Sequence, residues 1–295
     1  MLEFRDITLS DRERVQRALT VSDFMGCEYS FANNLAWRRL ADSKIAFYKD
    51  FYICGAFGGD TPRPRFILPA GTGSYKEVIG ELRRFSEAEG SPLILTSVTD
   101  RGLELLSELF PGEYTVEDDR DNSDYIYLRS DLAELSGRKY HAKRNHLARF
   151  KELKCEYSLI TENDIDECII FCTETYNNAD SPDHSFIAEQ FAINTYFSHF
   201  RELGLAGGII RAEGKIIALT LGERLNSDTF CVHIEKADTA YAGIYAGINN
   251  LFVRSSMDGM KYVNREEDLG IEGLRKAKLS YHPAFILRKY TVTFK

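Results

Sequence analysis

The chain has 295 residues, 44% hydrophobic and 28% charged, with a formal net charge of −8. That length exceeds one small core and predicts two domains, while the acidic balance excludes wholesale electrostatic attachment to nucleic acid or an anionic membrane. No apolar run approaches the ~20 residues of a bilayer span, and the opening MLEFRDITLSDRERV lacks a basic-then-apolar leader pattern, so the expected location is cytoplasmic, with no transmembrane segment.

Helical spacing is predicted up to about residue 45, through Val15, Leu19, Leu35, Trp37 and Leu40. Short strand-like runs follow, IAFY, FYICGAFG and RFILPAG, broken by Gly and Pro. Tyr75 to Glu89 reads as an amphipathic helix with Val78, Ile79, Leu82 and Phe85 on one stripe. Strand PLILTSV, a helix over Leu103 to Leu109, acidic text and strand DYIYLRS complete the first half. The second half runs through basic helix-forming text (Asp131 to Lys154), two helices (Asp164 to Tyr176 and Phe186 to Leu203), and a three-strand meander ending at Glu235. A loop, a helix to about Met260 and the strands KYVN and FILRKYTVTF finish it. The similar order of elements predicts two α/β units with a boundary near Leu128 to Leu135.

Three stretches carry chemistry. Between Glu235 and Ile248, Ala242, Gly243, Ile244, Tyr245, Ala246 and Gly247 form a small-residue loop before a helix. Small residues admit close backbone approach, and a helix start aims N–H groups and a positive dipole end at a phosphate or pyrophosphate. The structural alternative is a tight turn where a helix packs close to a sheet. The loop is neither a Walker motif nor a GxGxxG fingerprint. Ser136 to Lys151 holds six Lys and Arg and no acid, so Lys143 and Arg144 are candidate ligands for a phosphorylated donor. The alternative is a solvated face pairing with the acidic text from Glu117 to Asp124.

The third stretch is Asn264 to Pro283. Acyl transfer needs a base for the attacking group, donors for the carbonyl oxygen and a proton for the leaving group. Glu235, Glu267 and Asp268 are candidate bases, Lys278 a charge stabiliser, Tyr281 the acid, and Asn264 a donor contact. Gly270 and Gly273 predict a structured loop rather than a helix, anchored by Leu269, Ile271 and Leu274. Strand alternation puts Cys231, His233 and Glu235 on one face. The six cysteines form no CxxC pair, and no two histidines have metal-ligand spacing. Free thiols, no disulfide and no metal are therefore expected.

YLRSDLAELSGRKYHAKRNHLARF, HIEKADTAYAGIYAGINNLF and YVNREEDLGIEGLRKAKLSYHP resemble a family of bacterial proteins (DUF2156) related to the C-terminal domain of phosphatidylglycerol lysyltransferase. The resemblance implies an α/β (α+β) fold of two tandem acetyltransferase-like (GNAT) domains, 1–130 and 131–295, as in Fem-type aminoacyltransferases. Each would hold a mixed, mostly antiparallel sheet flanked by helices, and the second would carry the site. It implies transfer of an acyl group from acyl-CoA to an amine or hydroxyl, without a tightly bound cofactor or a DNA partner. Charged tRNA is the alternative donor, and a non-catalytic binding module the third reading. The Gly243/Gly247 loop falls where GNAT domains hold the carrier pyrophosphate. It departs from their Gln/Arg-x-x-Gly-x-Gly/Ala pattern by Ala240 at the first position and Tyr245 at the last.

Overall fold

The computed structural model describes residues 2–58, 63–177 and 184–295. The chain divides into two compact units. The first comprises Met1–Asp124, Glu267–Gly270 and Ile286–Lys295, and the second Tyr125–Glu266 and Ile271–Phe285.

In the first unit, β1 (Arg5–Asp6), α1 (Arg12–Ser22) and α2 (Phe31–Ala36) precede the strands β2 (Ser43–Tyr48), β3 (Phe51–Ala56), β4 (Arg65–Ile67) and β5 (Ala70–Gly71). Then come α3 (Tyr75–Ala88), β6 (Ile94–Val98), α4 (Asp100–Leu109) and β7 (Tyr114–Asp118). The Ser74 side chain accepts the Glu77 N–H to start α3, and Val78, Ile79 and Leu82 are fully buried.

In the second unit, β8 (Asp124–Leu128), α5 (Arg129–Glu134), α6 (His141–Lys151), β9 (Glu156–Leu159), α7 (Ile165–Asn177), α8 (His184–Ser198) and α9 (Phe200–Leu203) lead to a meander. It is built from β10 (Ala206–Ala212), β11 (Lys215–Arg224) and β12 (Thr229–Ala237). Next come α10 (Ile244–Ser256), β13 (Tyr262–Asn264), α11 (Glu272–Leu279) and β14 (Phe285–Leu287), after which β15 (Tyr290–Phe294) belongs to the first unit.

The first sheet runs β1-β2-β3-β4-β6-β15-β7, with β5 on β3. Every pairing is antiparallel except β4–β6. The second runs β14-β8-β13-β12-β11-β10-β9. Here β12–β13 is parallel, while β9–β10, β10–β11, β11–β12 and β8–β13 are antiparallel. The β10–β11 turn places Glu213 and Gly214 at φ 51° and 80°, the two left-handed residues a two-residue hairpin loop requires. α6 and α10 cover one face of this sheet through Phe150, Ile210, Ile217, Ala218, Ala237, Ile244 and Ile248. Lys236 points opposite to Ala237 and pairs with Glu189 of α8 at 3.0 Å, so α8 lies on the other face.

Two expectations are corrected. The split is not at 130/131 with everything beyond in the second unit: β15 inserts between β6 and β7 of the first sheet, because Val292 and Phe294 find their burial there. Gly273 lies inside α11 instead of a loop. Glu272 at its start and Lys276 and Lys278 at its end complement the helix dipole and offset the ~1 kcal/mol glycine penalty. Leu269, Ile271 and Leu274, expected to anchor the loop, are all exposed.

Candidate active site

The parallel pairing of β12 with β13 ends at Cys231–Asn264, although β12 continues to Ala237. Beyond that point side chains from several elements of the second unit converge on Glu235. Arg265, immediately after β13, donates to Glu235 Oε1 at 2.7 Å, and Asn249 of α10 donates to its Oε2 at 3.2 Å. Both members of the ion pair are nearly buried, with side-chain exposures of 12% and 11%.

The Arg265 guanidinium lies 4.9 Å from the centre of the Tyr281 ring and 5.7 Å from that of Tyr127. Lys143 of α6 sits over the Tyr281 ring at 3.7 Å. Burial and the Arg265 charge hold the Lys143 ammonium down at about 8, with Glu235 pulling the other way. Burial pushes the Tyr281 phenol up to about 12 against the Arg265 charge, so it stays protonated. Arg265 NH1 and Asn249 Oδ1 are buried and find no hydrogen-bond partner among the described residues, a donor and an acceptor beside one carboxylate.

The sequence candidates therefore divide. Glu235, Tyr281 and Lys143 come together. Lys278 supports them from behind: its ammonium donates to the Arg265 carbonyl at 2.6 Å, while its own carbonyl accepts from Tyr127. Arg144 binds the carbonyls of Leu135 and Gly137, bracing the turn before α6. Asn264 is buried, and its Oδ1 accepts the Glu266 N–H. Asp268 belongs to the first unit, where its buried carboxylate binds the Gly270 N–H and faces Arg120. Glu267 lies in that unit too, within 3.5 Å of the Cys27 thiol.

The loop takes its glycines for packing. Gly243 has φ 80°, and a Cβ on it would overlap the His146 carbonyl of α6. A Cβ on Gly247 would lie 2.5 Å from the Phe150 ring. The close neighbour is thus a helix, and it is the basic one. Ile244 and Ala246 are buried, as Gly247 is, whereas Tyr245 is exposed and Ala242 is an exposed residue of the turn before α10.

The shared face of Cys231, His233 and Glu235 also fails. Leu221 and Gly222 of β11 oppose Ile234 and Val232, so His233 is the extra residue of a β-bulge. Its ring stacks on Tyr196 of α8, 5.4 Å between centres, whereas Glu235 meets α10. Sequence reading missed Arg265, Asn249 and Tyr127, since one cation, amide or phenol near a strand has no distinctive spacing.

The chain matches the family described as phosphatidylglycerol lysyltransferase, C-terminal, over residues 20–293. It belongs to that family. Membership supports a transferase of the acyl or aminoacyl kind. A protein of unknown function from Bacteroides thetaiotaomicron is 40% identical, with a TM-score of 0.93 and full coverage of both chains. A tandem GNAT protein from the clavulanic acid biosynthesis pathway shares the fold at 12% identity, with a TM-score of 0.53 over 99% of this chain and 98% of that one. The two mixed sheets flanked by helices are thus GNAT-like. An uncharacterised protein of Mycoplasmoides gallisepticum is 26% identical over 197 residues, 65% of this chain and 62% of that relative's length. Among the described residues no helix is long and apolar enough to cross a membrane.

Proposed function

We propose that this member of the phosphatidylglycerol lysyltransferase C-terminal family transfers an aminoacyl group from charged tRNA to a hydroxyl or amine acceptor. The observation that carries the reading is the Glu235–Arg265–Tyr281–Lys143 group at the open end of the β12–β13 pair. The acceptor attacks the ester carbonyl directly, and the terminal ribose oxygen of the tRNA departs. Arg265 NH1, which has no partner among the described residues, donates to the oxygen that gains charge. Tyr281 gives its proton to the leaving oxygen, and the proton shed by the attacking hydroxyl or amine restores the phenol. Glu235 has both oxygens engaged, so its role is to hold Arg265. Lys143 and the cations of α6 attract the phosphates of the donor.

An acyl-CoA donor is the second reading, favoured by the GNAT-like fold. Against it, Gly243 and Gly247 are committed to α6, which leaves the pyrophosphate cradle without its two glycines. The test is single-turnover loss of label from radiolabelled aminoacyl-tRNA, run beside a panel of acyl-CoA thioesters. Turnover of tRNA ester that falls at least tenfold in Arg265→Lys and Tyr281→Phe is expected. Turnover of thioester alone transfers the site to the second reading, and binding without turnover of either makes it a non-catalytic module.

A further inference from the structure

Behind the Glu235 group lies a second cluster that the proposed chemistry does not use. We propose that Cys231, His233 and Glu266 bind a divalent cation of the zinc class. Sγ, a ring nitrogen and a carboxylate oxygen lie within 4.8 Å of one another, a spread that three ligands around one ion occupy at metal–ligand distances of ~2.0–2.3 Å. Thiolate, imidazole and carboxylate together suit zinc rather than calcium or magnesium.

The surroundings are those of a built site. His233 is the extra residue of the bulge, which turns its ring off the strand's alternation. Nδ1 faces Glu266 Oε1 at 2.8 Å, and Nε2 faces Glu223 Oε1 at 3.2 Å. Glu223 thereby holds the ring from behind, as a carboxylate does for a metal-bound imidazole. Glu266 sits at φ 56°, a left-handed conformation that is costly for a residue with a Cβ. The Asn264 side chain holds it there through the Glu266 N–H at 2.7 Å. Tyr196 covers the ring, and the His233 side chain is fully buried. The other grouping of this kind among the described residues, Cys27, Asp124 and Glu267 in the first unit, already contains a cation. The Lys289 ammonium lies 2.6 Å from Asp124 and 3.5 Å from the Cys27 sulfur, so it takes no metal.

The full chain, stripped with a chelator, is titrated with Co(II) and then Zn(II). One equivalent of Co(II) should give a near-ultraviolet sulfur-to-metal charge-transfer band that zinc displaces. Cys231→Ser should abolish the band and Cys27→Ser should leave it unchanged. Glu223→Ala should weaken binding roughly 10–100-fold. X-ray absorption on the zinc-loaded wild type needs no variant and should show one sulfur at ~2.3 Å with nitrogen and oxygen near ~2.0–2.1 Å. No band at saturating Co(II), a band that survives Cys231→Ser, or a zinc spectrum without sulfur each overturns the assignment. Because the readouts are spectroscopic, failure here is distinct from failure of the transfer reaction.

Discussion

At the scale of the residue, Lys143 makes two measurable claims. Burial and Arg265 hold it at about 8, so between about pH 8 and its ordinary 10.5 the folded chain binds fewer protons at this site than the unfolded chain does. Stability then rises with pH across that window, and the cost of the buried ammonium is fully present below it. Lys143→Met should raise the denaturant midpoint at pH 7 and flatten the rise between pH 8 and 10. Function runs the other way. If the ammonium attracts donor phosphates, donor affinity of the free protein should fall as pH passes about 8. Lys143→Arg, charged throughout, should keep its affinity to higher pH. Binding that is level from pH 7 to 9.5 in the wild type would remove Lys143 from donor capture.

At the scale of the element, the α6–α10 contact decides what the small-residue loop is for. Gly247→Ala drives a methyl into the Phe150 ring and should cost about 1–3 kcal/mol in denaturant unfolding. Combining it with Phe150→Leu should cost less than the two separate losses together, since the residues touch. A loop kept for ligand alone would instead show unchanged stability and lost donor affinity. The sequence made most elements legible, because Val78, Ile79 and Leu82 repeat at helical spacing and β3 is a continuous apolar run. It also showed the basic helix and the glycine loop, but not that one packs on the other. The shared face of His233 and Glu235 failed for a related reason. A single-residue bulge is set by cross-strand register, here Gly222 against Val232, and two-residue alternation carries no trace of it. Arg265 and Asn249 stayed hidden because only the parting of β12 from β13 brings them to Glu235.

At the scale of the whole molecule, the two-unit expectation held in number but not in chain membership. A linear reading assigns the last ten residues to whatever precedes them, yet β15 pairs with β6 on one side and β7 on the other. Phe294 packs edge-on against Phe110 at 5.5 Å. Just before that strand, the buried Lys289 ammonium bonds to Asp124 and to Glu28, at 2.6 and 2.5 Å. The first unit therefore closes only when the C-terminal strand arrives. Lys289→Met strands the buried Asp124 carboxylate without its ammonium and should cost about 3–5 kcal/mol, measured by denaturant unfolding. A chain ending at Phe285 loses both the ion pair and the strand between β6 and β7. It should show native-state hydrogen exchange in which β2, β3 and β6 lose protection, because their sheet no longer has its interior partner. Retained protection of β6 in the shortened chain would mean that the first sheet stands without β15.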